Sequence, residues 1–329
     1  MTPGRLTLAD VEAARAVLAR HLRPTPLRES FAAAGVDLRL KLECWQPTGS
    51  FKVRGALSLL SSLDEGERRR GVVAASAGNH ALGVAFAAAR SDRPVDATLF
   101  VPRTAPRSKV DKLRRFPVRI RETGETYDDA VEAARLFERQ TGAVFVHAYD
   151  DRRTAAGQGT VGLEVVDEWP ELGAVLVPVG GGGLIAGLAT AVKERVPNVR
   201  VVAVQPEASP SLRESLRLGR PLLTYPAAPT LADGLAGGIG EILFHHRDLV
   251  DEVVEVTEEE IEDAMVALLA SDQVVAEASG AVGVAALRAG KLPSVGRGPV
   301  VAVITGGNVD ASVLARLLAR RLPADGAER

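Results

Sequence analysis

The stretch "ECWQPTGSFKVRGA" (43–56) carries one lysine, Lys52, just past a Thr-Gly-Ser turn and between Phe51 and Val53. That placement puts Lys52 just inside a helix start. A lysine usually decorates a solvated helix face. Here the positive end of the helix and an apolar wall both act against the ammonium form. The expected species is a neutral amine, which is a nucleophile toward an aldehyde. Taken alone, the stretch fits equally a lysine that pairs with a phosphate or with solvent.

A second stretch, "VPVGGGGLIAGLA" (177–189), runs an apolar strand into Gly180, Gly181, Gly182 and Gly183 and then directly into an apolar helix. Four glycines let the backbone turn sharply and aim several N–H groups at one point, and the helix start adds its own positive end. This is a phosphate cradle that needs no basic side chain. A plain strand-to-helix turn would need only one or two glycines. No Gly-Lys-Ser/Thr follows, so it is not a P-loop. Gly180, Gly182 and Gly187 can be forced into G-x-G-x-x-G, but the last spacing is wrong. The next strand, "RVVAV" (200–204), runs into Gln205 and Pro206 instead of an acid, unlike a dinucleotide site.

Two further strand ends complete the set. In "SAGNHALGVAFAAA" (76–89) a strand closes at Ser76, and Ala77 and Gly78 lead into a helix near Asn79. The exposed N–H groups of that helix start suit a carboxylate, with Asn79 and His80 adding polar contacts. Alone it would read as a Ser cap and a surface His. "VVAVITGGNVD" (300–310) stops a strand at Thr305, ahead of two glycines and an Asn. Three such ends and one buried-looking lysine suggest a single crevice at the carboxyl ends of parallel strands. A phosphate cradle, a carboxylate-binding helix start and a neutral amine together suit a phosphate-bearing aldehyde, pyridoxal 5'-phosphate, and a small amino acid.

The elements that must hold these residues follow from hydrophobic patterning. Apolar runs at 38–42, 72–76, 97–101, 118–120, 143–147, 174–179, 200–204 and 300–305 read as strands, and 79–90, 125–140, 184–195 and 308–321 as helices. Uniformly apolar strands followed by helices predict α/β architecture with parallel sheets covered on both faces. These strands outnumber what one small doubly wound sheet needs, so two sheets in two domains are expected: 71–147 as a small domain closing over the substrate, and 1–70 with 148–329 as a large, cofactor-binding one. "DEGERRRG" (64–71) reads as a solvated turn, "TEEEIEDAMVALLA" (257–270) as an amphipathic helix with an acidic first turn, and "PADGAER" (323–329) as a frayed tail.

Composition narrows the class further. The 329 residues carry a formal charge of -2, with 46% hydrophobic and 25% charged residues. No excess of either sign points to nucleic acid or an anionic membrane as a partner. No stretch reads as a membrane span or signal peptide. The single cysteine, Cys44, forms no internal disulfide and reads as a small buried hydrophobe. A cytoplasmic protein is expected. His245 and His246 lack partners at metal-ligand spacing and read as loop residues.

In this order and spacing, "PTGSFKVRGA", "SAGNHA", "PVGGGGLIAG" and "ITGGN" resemble the fold type II pyridoxal-phosphate enzymes, nearest the threonine/serine dehydratase and serine racemase family. The resemblance covers nearly the whole chain, from "RPTPL" (23–27) onward. It implies the tryptophan synthase β-like fold, with two open, mostly parallel sheets flanked by helices. By the same resemblance Lys52 matches the Schiff-base lysine and Phe51 the aromatic beside the cofactor ring. Asn79 matches the residue that bonds the phenolic oxygen. Ser76 and the backbone of Ala77, Gly78, Asn79 and His80 match the substrate-carboxylate loop. Gly180 to Gly183 match the phosphate cradle. Thr305 matches the hydroxyl residue at the pyridine nitrogen, where a neutral group favours elimination over transamination. Gly234 and Glu277 are weaker candidates for the same cavity.

The resemblance implies β-elimination of water: L-threonine to 2-oxobutanoate and L-serine to pyruvate, each with ammonia. Lys52 would remove the Cα proton, and the cofactor phosphate would assist the leaving hydroxyl. A homodimer or homotetramer is implied as well. The sequence departs from the family at two places. Racemases carry a serine where Ala77 stands, so little racemisation is expected. Relatives that bind a divalent cation use Glu and Asp where Gln205 and Ser211 stand, so no metal is expected. No regulatory domain of the isoleucine-sensitive kind is expected after "ITGGN". The alternatives are a lyase acting on hydroxyaspartate or phenylserine, a serine racemase, a non-catalytic protein that binds the cofactor, and, outside the class, a nicotinamide-dependent dehydrogenase.

Overall fold

Among the described residues, ten strands build two separate sheets. They are β1 (Leu27–Ser30), β2 (Leu38–Lys41), β3 (Val72–Ala75), β4 (Ala97–Val101), β5 (Arg119–Glu122), β6 (Val144–Phe145), β7 (Ala174–Pro178), β8 (Arg200–Pro206), β9 (Glu252–Val256) and β10 (Val300–Val303). The structure, a computed structural model, describes residues 5–292, 295 and 299–321. The tail at 323–329 lies outside them. One sheet has six strands in the order β1-β2-β10-β7-β8-β9, and the other has four in the order β5-β4-β3-β6. All pairings are parallel except β1 with β2. The expected α/β architecture of two mostly parallel sheets is therefore present.

The helices are α1 (Leu8–Leu18), α2 (Lys52–Ser61), α3 (Glu65–Arg70), α4 (Asn79–Arg90), α5 (Arg107–Leu113), α6 (Tyr127–Thr141), α7 (Arg152–Glu168), α8 (Gly183–Arg195), α9 (Ser211–Leu218), α10 (Glu241–His245), α11 (Glu258–Asp272), α12 (Ala278–Arg288) and α13 (Ala311–Arg321). They cover both faces of the larger sheet, as its buried central strands require. On one face Leu38, Leu40, Val202 and Val254 pack with Ala281 and Val284 of α12. On the other Val175, Val177, Val201 and Val301 pack with Ile185 and Leu188 of α8. Val53, Leu57 and Leu60 of α2 share the smaller sheet's core with Val72, Ala74, Leu99 and Val84. Gly187 serves helix packing: a Cβ there would lie 2.1 Å from the Ala155 carbonyl of α7. That close approach, not a dinucleotide, explains the stray glycine.

Several elements differ from expectation, each for a local reason. β1 and β9 are additional strands; their alternating charged residues hide them among the apolar runs, and both lie at sheet edges. "DEGERRRG" is no turn but α3, because the Asp64 side chain accepts from Glu67 N–H and the Glu67 side chain accepts from Asp64 N–H. α13 begins three residues late, at Ala311, because Asn308 uses its side chain on Thr48 and Asn79. No described helix is long and apolar enough to cross a membrane.

Candidate active site

Lys52 is the first residue of α2, and the preceding loop fixes where it points. Gly49 holds a positive φ of 74° and donates to Gln46 O at 2.7 Å, closing the turn. Phe51 N–H then ties the chain to Thr305 O at 3.0 Å, so the lysine is registered on the end of β10. Its Nζ donates to Ala148 O at 3.0 Å and lies 5.0 Å from the Phe51 ring. Burial pulls the ammonium down to about 8, while the Glu277 carboxylate pulls it the other way. The neutral amine expected from the sequence is thus within reach, with burial as its main cause.

The glycine run behaves as a cradle built around bare backbone. A Cβ at Gly181 would sit 2.2 Å from the Tyr149 ring, one at Gly182 2.3 Å from Leu243, and one at Gly183 2.5 Å from Tyr149 O. Gly182 has φ 91° and caps α8, whose first turn holds no acid to offset its positive end. The Gly181→Ala variant forces the cradle or the Tyr149 ring to move, at about 1–3 kcal/mol for overpacking. It is expected to fold and to lose most of its cofactor on dialysis against cofactor-free buffer. Wild-type retention would remove this loop as the phosphate site.

The loop after β3 faces the same space. Gly78 N–H donates to Ser76 Oγ at 3.1 Å, and a Cβ at Gly78 would meet nothing within 4 Å. His80 is not the surface residue the isolated motif suggests. Its Nε2 bonds Val146 O at 2.8 Å, and burial, with the Lys52 charge second, depresses it to about 3. The imidazole therefore stays neutral and pins the segment that crosses from β6 to α7; only its backbone serves the loop. Asn79 Nδ2 donates to Glu277 Oε1 at 2.6 Å. Thr305 is buried, its hydroxyl 3.4 Å from Ser279 O.

One cavity of about 840 Å³ is lined by Phe51, Lys52, Ser76 to His80, Gly180 to Gly183 and Thr305, so the structure brings every one of these together. It adds Gly234 and Glu277, named only weakly by sequence, and Tyr149 and Asn308, which sequence reasoning missed. Asn308 falls within "ITGGN" and could have been singled out; nothing local marks Tyr149, which reaches the site from the crossover after β6. Burial, with Asp233 second, pushes the Glu277 carboxyl up to about 7. Cys44 is buried with its thiol pushed up to about 12, so it is unreactive packing. His246 bonds Leu6 N and Ile242 O, a structural clasp. Gln205 is buried and accepts from Leu212 N–H at 3.3 Å. Among the described residues no group of three or more His, Cys, Asp or Glu could hold a metal ion.

These residues fit pyridoxal phosphate: a lysine of lowered pKa in the cavity wall, a cradle that side chains would fill, and a neutral hydroxyl at the third strand end. Comparison with known proteins agrees. A family model described as "Pyridoxal-phosphate dependent enzyme" matches residues 18–306. The chain is similar to the L-threonine ammonia-lyase of Thermotoga maritima, 45% identical over 326 residues, 98% of this chain and 80% of that one. Its fold is similar to the processed form of threonine deaminase isoform 2 from Solanum lycopersicum, with TM-score 0.89, 32% identity and 96% and 92% of the two chains covered. It is also similar to maize serine racemase, with TM-score 0.88, 34% identity and 96% and 98% covered. The geometry of the cavity and these similarities lead to one conclusion: the chain belongs to the family of pyridoxal-phosphate dependent enzymes.

Proposed function

We propose that the protein is a pyridoxal-phosphate-dependent ammonia-lyase that converts L-threonine to 2-oxobutanoate and ammonia, and L-serine to pyruvate and ammonia. The observation that carries this reading is the convergence of Lys52, the glycine cradle and the Ser76–His80 loop on one cavity in a chain 45% identical to an L-threonine ammonia-lyase. Bound pyridoxal phosphate supplies a conjugated ring that stabilises negative charge at the substrate Cα. Gly180 to Gly183 and the start of α8 would hold its phosphate, with Phe51, Asn79 and Thr305 as the cavity residues that would contact its ring. The start of α4 and Ser76 receive the substrate carboxylate. Lys52, steadied by the Ala148 carbonyl, takes the Cα proton. With the β-hydroxyl lost as water, the released enamine tautomerises and hydrolyses, so water leaves once and re-enters once.

The test is 2-oxo acid release from the purified protein with pyridoxal phosphate, across L-threonine, L-serine, hydroxyaspartate and phenylserine. Fast release from threonine or serine supports the reading. Turnover of only the bulkier substrates would keep the chemistry and move the substrate. Racemisation is the second reading, favoured by the likeness to maize serine racemase. Ala77 lines the cavity, and its methyl has no ionisable proton to return to Cα, so L-serine should give pyruvate with little D-serine. Comparable rates of the two products would overturn this.

The division into 71–147 as the part that closes over the substrate, and 1–70 with 148–329 as the cofactor-binding part, is proposed as well. α2 is the shared boundary, since it packs on the smaller sheet's core and on α7. A cytoplasmic homodimer or homotetramer is the proposed assembly, in keeping with the exposed Phe31 and Trp45. Light scattering tests it.

A further inference from the structure

A hydrogen-bonded chain of four side chains runs from the surface of α5 into the cavity. Lys112 Nζ donates to Asn308 Oδ1 at 3.2 Å. Asn308 Nδ2 donates both to Thr48 O and to Asn79 Oδ1, each at 2.8 Å. Asn79 Nδ2 donates to Glu277 Oε1 at 2.6 Å. Two glycines keep the path open: a Cβ at Gly306 would lie 2.2 Å from Glu277 Oε1, and one at Gly49 would lie 2.8 Å from the Asn308 amide.

The polarity of this chain is fixed from its ends. The oxygen and nitrogen of an amide have nearly the same shape, so the partners decide which way it faces. An ammonium only donates and a backbone carbonyl only accepts, so Lys112 and Thr48 leave Asn308 one orientation. Both of its Nδ2 hydrogens are then used, one on Thr48 and one on Asn79. Asn79 must therefore accept at Oδ1 and donate at Nδ2. Glu277 takes one of the two Nδ2 hydrogens, and one remains for the cavity. Lys109, Asp233, Lys52, Cys44 and the Asn308 N–H also interact with Glu277.

We propose that Glu277, Asn308 and Lys112 are positioning residues that hold Asn79 with an amide N–H, and not its carbonyl, directed at the phenolic oxygen of the bound cofactor. This rests on the role proposed above for Asn79. It goes beyond that role by assigning the donor polarity to three residues, two of them on the larger sheet's side and one on α5.

The test follows the visible absorbance of the cofactor-loaded protein through a pH titration, with thermal unfolding alongside, for Asn79→Ala, Glu277→Ala, Glu277→Gln and Asn308→Asp. A donor to the phenolic oxygen favours its anion. Losing that donor should raise the pH of the spectral transition by about one unit in Glu277→Ala and Asn308→Asp. Glu277→Gln still accepts through Oε1 and should titrate within a few tenths of wild type. A purely structural role would lower the melting temperature and leave the titration in place, which would overturn the proposal. A shift in Asn79→Ala alone would also overturn it while sparing the role of Asn79; no shift in Asn79→Ala would remove both. If Glu277→Ala does not fold, Asn308→Asp decides the matter in the same way.

Discussion

Replacing Lys52 with alanine is expected to abolish turnover and the visible absorbance of the attached cofactor together. A positioned general base contributes on the order of 10²–10⁴ in rate, and the same amine is the proposed point of covalent attachment, so the combined loss should reach the limit of detection. The fold should survive. The variant gives up one hydrogen bond, to Ala148 O, and an amine that burial already strains. One such bond is worth about 1 kcal/mol. Lys52→Arg is the sharper companion: it keeps the cation but cannot deprotonate near neutral pH. Borohydride treatment followed by peptide mass analysis should label wild type at Lys52 and neither variant. Retained turnover and absorbance in Lys52→Ala would remove the residue from the chemistry.

The second large effect lies two residues along α2 and concerns stability. Arg54 is fully buried and donates to Glu43 through Nε and Nη2, both at 2.7 Å, and to Glu164 through Nη1 at 2.6 Å and Nη2 at 2.7 Å. Lys41 Nζ, also buried, completes the group at 2.6 Å from Glu164. Two cations thus balance two carboxylates, and they tie α2 to the segment after β2 and to α7. Arg54→Met leaves Glu43 buried with only Thr25 and Gln46 as side-chain donors. Removing one partner of a buried pair costs about 3–5 kcal/mol, a large share of a typical folding stability of roughly 5–15 kcal/mol. Urea unfolding at neutral pH should show that loss.

The pH dependence of the loss has a definite sign. Burial raises the Glu43 pKa, but in wild type Arg54 and Lys41 hold it below the ordinary carboxylate value. Wild type therefore gains stability from Glu43 above that value and loses it as pH falls. In Arg54→Met the Lys41 charge and the Thr25 hydrogen bond still oppose burial, but the strongest opposing group is gone, and the folded-state pKa is expected to move above the unfolded one. The variant then gains on acidification, because protonation removes a buried charge that has lost its guanidinium partner. Its deficit should be smaller at pH 5 than at pH 7. A loss under about 1 kcal/mol at neutral pH, or a deficit that widens on acidification, would show that the network does not hold α2 in place.

The local parts of the site were legible because each depends on residues adjacent in the chain. The glycines at 180–183, the turn before Lys52 and the strand ends at Ser76 and Thr305 all express backbone geometry that neighbours set. The strands β3, β4, β7, β8 and β10 were legible because burial on both faces demands unbroken apolar runs. The edge strands β1 and β9 were not, because a half-solvated edge accepts charged residues that break the pattern. Capping decided α3, and reading Asp64 against Glu67 would have found it.

The sequence by itself determined the two-sheet α/β class and the cofactor, and it singled out Lys52 as the candidate to react with it. Tertiary structure alone decided how those residues are tuned. Burial brings Lys52 down to about 8 and neutralises His80, although a sequence motif suggested a surface imidazole. Contacts across 198 and 229 residues join Glu277 and Asn308 to Asn79. The Tyr149 ring fills the side of Gly181 that no side chain could share. Side-chain partners so distant in the chain leave no local pattern, and desolvation depends on everything that folds over a group, so both become visible only once the sheets and helices are in place.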